Sequence, residues 1–297
     1  MEKFIAFAKE LGVNVLRESM SLHTTFQIGG VACFAQIGNS DVLKKVITHL
    51  QENNIDYQVI GNGSNLLVSD SKMNKLFIKL EDDESEVLLK DETLIYASAG
   101  ISLQKLCDFA LKHSLTGLEF AYGIPGTLGG AIYMNASAYG KQMSDVLGSI
   151  FCLNDLGEPS KVKAEHANLS YRYSMFMGKK CCITGATLLL AKGSETAIKK
   201  EMGSLWEKRQ KSQPLDFPSA GSIFKRPGVN FAGALIEECG LKGMKVGGAA
   251  VSEKHAGFII NLGGASCENV RRLIKEIQDA VWQQKGIKLE TEVELVE

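Results

Sequence analysis

Residues 122–140 read YGIPGTLGGAIYMNASAYG, and no other stretch restricts the fold as tightly. Five of its nineteen positions are glycine, yet apolar residues suited to a core stand between them. Glycine loses more backbone freedom on folding than any other residue, so a main chain this bare needs a reason. Two are available: a crowded turn, or a backbone pressed against a flat, phosphate-bearing molecule.

A second bare segment, GNGSN at Gly61–Asn65, separates an apolar run ending at Ile60 from another starting at Leu66. Its glycines admit positive φ and close backbone approach, while Ser64 and Asn65 carry side-chain donors. Successive N–H groups in such a turn form a nest suited to a diphosphate. Alone, the segment reads more simply as a tight turn between strands. It is not a Walker loop, since no Gly-Lys-Ser/Thr follows, and no G-x-G-x-x-G opens a helix, which disfavours a Rossmann site. Two such segments in one lobe shift the reading toward a large nucleotide cofactor, without saying which.

The chain has 297 residues, enough for a large core and about two domains. A net charge of -1 and the lack of any basic run point away from nucleic acid and toward a small-molecule partner. The seven cysteines are odd in number, irregular in spacing and without a C-x-x-C pair. That fits free thiols in a reducing compartment better than disulfides or a zinc site, and no metal is expected. The opening MEKFIAFAKELGV mixes charges into its apolar residues, unlike a secretory signal. No apolar run approaches the ~20 residues of a membrane span, so the expectation is a cytoplasmic protein without membrane insertion. Oligomeric state is not readable.

Helical spacing recurs at Phe4, Phe7, Ala8 and Leu11, then at Val42, Leu43, Val46, Ile47 and Leu50 behind Ser40 as N-cap. YQVIG, NLLVS and LFIKL read as strands, and EVLLKDETLIYASAG as a hairpin turning at Asp91 and Glu92. Leu103, Leu106, Cys107, Ala110 and Leu111 mark another helix, and VLGSIFCLND and CCITGATLLLA two more strands. A charged helical pattern over 194–212 ends in QKSQPLDFPSAG, whose prolines mark a boundary. Beyond it come a helix at NFAGALIEECG closed by Gly240, a strand in HAGFIINLGG, and a long helix carrying Val270, Leu273, Ile274, Ile277 and Val281 to Gly286. In IKLETEVELV the alternation predicts a strand with Ile287, Leu289, Val293 and Leu295 on one face and Glu290, Glu292 and Glu294 on the other. The class is α+β in two or three lobes.

Five motifs in order, GNGSNLL, YGIPGTLGGAIYMNASAYG, SYRYSMF, AGSIFKRP and GGAAVSEKHAGFIINLGGA, closely resemble the UDP-N-acetylenolpyruvoylglucosamine reductase family. The resemblance covers roughly residues 20 to 295. It implies the α+β, vanillyl-alcohol-oxidase-like FAD-binding fold: FAD-binding subdomains over 1–80 and 81–213 and a substrate-binding domain over 214–297. The spacing from YRYS to AGSIFK is similar to the shorter form of the family, without the extra tyrosine loop. In this family NADPH reduces non-covalently bound FAD. UDP-N-acetylglucosamine enolpyruvate then receives hydride and a proton to give UDP-N-acetylmuramate, a peptidoglycan precursor.

The resemblance also assigns residues. Gly61, Asn62, Gly63, Ser64, Asn65 and Leu66 would form one jaw around FAD, with Gly123, Ile124, Pro125, Gly126, Thr127, Gly130 and Ala131 as the other. Arg172 of YRYS would set a permanent cation against the developing enolate, because a guanidinium does not lose its proton. Ser222 of AGSIF matches the proton donor and Glu292 of ETEVEL the catalytic glutamate. Tyr171, Lys225 and Asn230 would touch substrate. Without the resemblance, Arg172 reads as a salt-bridging arginine, Ser222 as a turn serine, Glu292 as part of a solvated face and Lys225 with Arg226 as ordinary surface charge. His255 reads as structural.

The chain departs from the family pattern in four places. Glu294 stands where arginine is usual, Gln27 and Val31 where Arg and Pro are frequent, and Ser137 replaces a usual glycine, which would ask less φ freedom of that turn. An FAD oxidase of the same fold, or a non-catalytic flavin or UDP-sugar binding protein, is the alternative. The oxidases often tether flavin through histidine, and none flanks either glycine-rich segment.

Overall fold

A computed structural model describes residues 1–154 and 156–297. The last residue of the predicted strand VLGSIFCLND, Asp155, lies outside the described residues. The chain forms two compact units. The first comprises Met1–Leu16, Cys33–Asn62 and Asn74–Lys208, the second Arg17–Ala32, Gly63–Met73 and Arg209–Glu297.

In the first unit, strands Val31–Ile37, Leu76–Leu80 and Tyr57–Ile60 run parallel, with Leu76–Leu80 central. The helix Ser40–Glu52 connects two of them and buries Leu43, Val46, Ile47 and Leu50, the stripe its spacing predicts. Its cap is Asn39 rather than Ser40: the Asn39 side chain accepts from the amides of Asp41 and Val42. Both residues favour caps, and the one with non-helical backbone takes the role. A five-stranded antiparallel sheet follows, ordered Pro159–Lys163, Leu147–Leu153, Cys182–Leu189, Leu94–Ser98, Val87–Leu89. Helices Leu103–Lys112 and Leu128–Tyr133 belong to the same buried core, and the latter packs on Cys182–Leu189 and Leu94–Ser98.

The second unit holds an antiparallel sheet ordered Ser219–Ser222, Phe258–Asn261, Ala249–Val251, Lys245–Val246. Its core includes the apolar faces of helices Ala232–Glu238 and Cys267–Lys285. The long helix is closed at both ends as its sequence suggests. Ser266 and Asn269 form a reciprocal capping box, and Gly286 takes the left-handed conformation at φ 65. Asp70 completes the start, accepting from the amides of Cys267 at 2.9 Å and Glu268 at 3.3 Å. The predicted strand over 287–296 is reduced to Glu294–Val296, which runs parallel to Leu66–Val68. Leu289 and Val293 are buried as predicted, but Leu295 is exposed and Val296 buried, so the period-two pattern breaks within the strand.

Candidate active site

The two glycine-rich segments meet inside the first unit. A Cβ on Gly61 would run into the hydroxyl of Thr127, so any larger residue there would push the Thr127 side chain aside. Thr127 caps the helix Leu128–Tyr133 by accepting from Gly130 N–H. The amides of Leu128 and Gly129 donate to the carbonyls of Ile101 and Ala99. A Cβ on Gly129 would lie 2.9 Å from the Cβ of Ala99, so this glycine serves helix–strand packing. Gly126 and Thr127 differ: both are buried, and no acceptor among the described residues takes their N–H groups. Buried amides normally find a partner. A pair of them beside Gly61 fits the anionic diphosphate of a dinucleotide, which would accept both. These residues therefore fit FAD. Gly63, at φ 61, begins the part of GNGSN assigned to the second unit.

The same stretch carries a second device. Ser170 and Tyr173 exchange backbone hydrogen bonds of 3.1 and 3.2 Å, leaving Tyr171 and Arg172 at the tip of a tight turn. Arg172 sits at φ 54, a position where a type II turn ordinarily takes glycine. The turn is held from below by residues 133–144. Asn135, 1% exposed, donates to the Ser170 carbonyl at 3.0 Å and accepts from Ser144 N–H. Ser174 Oγ donates to the Tyr133 carbonyl at 2.6 Å, and Arg172 Nη1 donates to Ser137 Oγ at 2.8 Å. The positive φ values of this segment fall at Asn135, Tyr139 and Gly140, so Ser137 itself needs no glycine-like backbone. The guanidinium also lies over the exposed Tyr171 ring.

In the second unit three predicted residues converge. Ser222 ends the strand Ser219–Ser222, opposite Phe258. The chain then pairs with the segment before Glu294–Val296: Lys225 N–H donates to the Glu290 carbonyl and Glu292 N–H to the Ile223 carbonyl at 2.7 Å. Asn65 Nδ2 donates to the Glu292 carbonyl, and Glu294 N–H returns a bond to the Asn65 carbonyl. Glu290 is exposed, whereas Glu292 is half-buried, so the two carboxylates do not share one solvated face. Ser222 Oγ donates to the Phe224 carbonyl at 3.1 Å.

The remaining predicted contacts lie on the surface of this unit. Lys225 approaches Glu290 at 3.9 Å, Arg226 stacks 4.0 Å over the Phe231 ring, and Asn230 is exposed in the turn between them. His255 is structural, as expected. Its Nδ1 accepts from Gly257 N–H at 3.1 Å, its ring meets Phe258 edge-on, and burial pushes its pKa below the ordinary value.

Comparison with known proteins agrees with this geometry. The UDP-N-acetylenolpyruvoylglucosamine reductase C-terminal domain matches residues 213–296, and an FAD binding domain matches residues 31–162. The UDP-N-acetylenolpyruvoylglucosamine reductase of Caldanaerobacter subterraneus subsp. tengcongensis is 43% identical over 297 residues, 100% of this chain and 97% of that protein. The chain belongs to the UDP-N-acetylenolpyruvoylglucosamine reductase family. The protein of that name from Alkaliphilus oremlandii is 46% identical over 283 residues, 95% of this chain and 93% of its own. The crystal structure of UDP-N-acetylenolpyruvylglucosamine reductase from Thermus caldophilus superposes with a TM-score of 0.83 at 32% identity, covering 96% of this chain and 100% of that one. The architecture is thus the α+β FAD-binding fold of this reductase family with its C-terminal domain. No helix among the described residues is long and apolar enough to cross a membrane.

Tyr133, Asn135 and Ser137 hold the turn that carries Arg172, a contact the sequence does not announce. All three lie in the glycine-rich stretch, but nothing in their residue types announces the turn they hold. That stretch was read only as a cofactor surface, while half of it carries the arginine turn.

Proposed function

We propose that this chain is an FAD enzyme that reduces UDP-N-acetylglucosamine enolpyruvate to UDP-N-acetylmuramate with NADPH, in the cytoplasm, as a step of peptidoglycan precursor synthesis. The observation that carries the reading is the backbone knot in which Asn65 Nδ2 donates to the Glu292 carbonyl and Glu292 N–H donates to the carbonyl of Ile223, next to Ser222. It joins the loop at Asn65 to Glu292 and to the backbone beside Ser222, which would supply the proton. The division into flavin subdomains over 1–80 and 81–213 and a substrate domain over 214–297 belongs to the same proposal.

FAD, when bound, supplies the hydride, having taken it from NADPH. Gly61, Asn62, Gly63, Ser64, Asn65 and Leu66 would hold it together with Gly123, Ile124, Pro125, Gly126, Thr127, Gly130 and Ala131, and the buried amides of Gly126 and Thr127 would supply donors suited to its diphosphate. Hydride addition at the terminal carbon of the enolpyruvyl group leaves negative charge on the carboxylate side. Arg172, raised at the tip of its turn, stabilises that charge with a cation that cannot be neutralised. Ser222 delivers the proton to the neighbouring carbon. A serine hydroxyl is a weak acid, so it serves only against a strongly basic carbon at short range. Glu292, whose N–H donates to the carbonyl of Ile223 next to Ser222, acts as the catalytic glutamate. Tyr171, Lys225 and Asn230 contact the UDP sugar.

The test is anaerobic mixing of the yellow protein with NADPH and then with the enolpyruvyl sugar, followed at the flavin absorbance band. Bleaching by NADPH and recovery on adding the sugar are expected. Recovery only on admitting oxygen would sink this function and favour the oxidase alternative.

A further inference from the structure

We infer that Ser137 is a positioning residue for the reaction. Its hydroxyl fixes the guanidinium of Arg172 in the orientation that meets the developing charge. The inference rests on the role proposed for Arg172. The backbone of the arginine turn is already secured, by Asn135 on the Ser170 carbonyl and by Ser174 on the Tyr133 carbonyl. A clamped backbone still leaves an arginine side chain four rotatable bonds, and that freedom is costly to remove at the moment of reaction. Ser137 Oγ receives the Nη1 donor at 2.8 Å and so removes part of it beforehand.

Ser137 is itself firmly mounted. It belongs to the hairpin Ser137–Ala138 with Lys141–Gln142, in register opposite Gln142. Asn135 donates to the Gln142 side chain at 3.2 Å, and the Tyr139 hydroxyl donates to the Leu205 carbonyl at 3.0 Å. The acceptor for the arginine therefore stands on a braced element.

Single-turnover reoxidation of the reduced flavin by the enolpyruvyl sugar reads the effect. Ser137→Ala should slow it roughly tenfold, the scale of one hydrogen bond to a charged group. Ser137→Thr, which keeps the hydroxyl, should recover most of the loss. Thermal unfolding and the absorbance shift of oxidised flavin on titration with substrate should stay near wild type, since neither fold nor ground-state binding depends on this contact. In an Arg172→Ala background, adding Ser137→Ala should change nothing further, because the serine acts through the arginine.

Slowing that adds fully to that of Arg172→Ala overturns the inference, as does a wild-type rate for Ser137→Ala beside a crippled Arg172→Ala. In the second case the role of Arg172 stands and that of Ser137 falls. Wild-type turnover by Arg172→Ala removes both roles together. A lowered melting temperature with equal slowing of flavin reduction and reoxidation makes Ser137 a residue of the fold and also overturns it.

Discussion

The side-chain amide of Asn65 donates a 3.0 Å hydrogen bond to the carbonyl of Glu292. The Asn65 carbonyl accepts in turn from Glu294 N–H at 2.9 Å. Asn65 alone thus fixes the backbone on both sides of Val293. Asn65→Ala removes one of these bonds. It should weaken FAD retention and slow enolpyruvyl reduction together, each by about five- to tenfold on the scale of a single part-buried hydrogen bond. Equilibrium dialysis of flavin and stopped-flow absorbance measure the two. A change in one without the other would uncouple the loop from the site.

Glu292 and Glu290 differ in burial and in proximity to Ser222, and they should differ in consequence. Glu292→Gln is expected to cripple reduction of the enolpyruvyl sugar, whereas Glu290→Gln, on an exposed carboxylate, stays near wild type. Steady-state NADPH oxidation dependent on the sugar compares them. Equal, mild losses would take Glu292 out of the site.

Ser222→Ala separates the two halves of the reaction. Flavin reduction by NADPH needs no proton on the sugar and should persist. Reoxidation by the enolpyruvyl sugar should fall by about a hundredfold to ten-thousandfold, the usual contribution of a positioned acid. Ser222→Cys should retain more than alanine does, since a thiol also gives a proton. Rapid mixing follows each half at the flavin band. Equal slowing of both would assign the serine to the fold.

Asp70 accepts from the first two amides of the helix Cys267–Lys285, whose stripe fills much of the second core. Replacing it with alanine orphans those donors and removes a negative charge from the helix start. The expected loss is about 1–2 kcal/mol of stability, measured by urea unfolding. The flavin spectrum should be unchanged, because Asp70 belongs to neither jaw.

His255 gives stability a pH dependence of known sign. Burial holds its folded pKa below the ordinary 6.5. Above that value neither folded nor unfolded chain protonates it. As pH falls through 6.5 the unfolded chain takes up a proton that the folded site refuses, so stability declines until the lower folded pKa is reached. Melting temperature should drop between neutral pH and about pH 5. The slope should be shallower in His255→Gln, whatever that variant costs at neutral pH. An unchanged slope would show that this imidazole stays accessible to protons.

The sequence made local features legible and left distant partners hidden. Val270, Leu273, Ile274, Ile277 and Val281 announce their helix through spacing alone, and Gly286 announces its end. Nothing near Cys267 announces Asp70, because that bond joins residues 197 positions apart. The alternation over 287–296 misleads for a related reason. Its backbone is shared between the Ile223–Lys225 segment and Leu66–Val68, and the exposure of Leu295 follows from those partners rather than from period. At the site, the glycines of both jaws stand out in the sequence. The clamp of Tyr133, Asn135 and Ser137 on the arginine turn does not, since serine and asparagine are at home in any turn.

The pairing of Leu66–Val68 with Glu294–Val296 sets a timetable for synthesis. By the time Lys208 leaves the ribosome, every residue of the first unit has been made. The early pieces of the second, Arg17–Ala32 and Gly63–Met73, must wait for almost the whole remaining chain. At roughly 5–20 residues per second that wait is on the order of ten seconds or more. Throughout it Phe26, Ile28 and Leu67, all buried in the finished protein, have no core to enter. A nascent chain with such a schedule is a natural client for a ribosome-associated holdase. Slowed translation anywhere after Met73 should raise the share of product lost to aggregation.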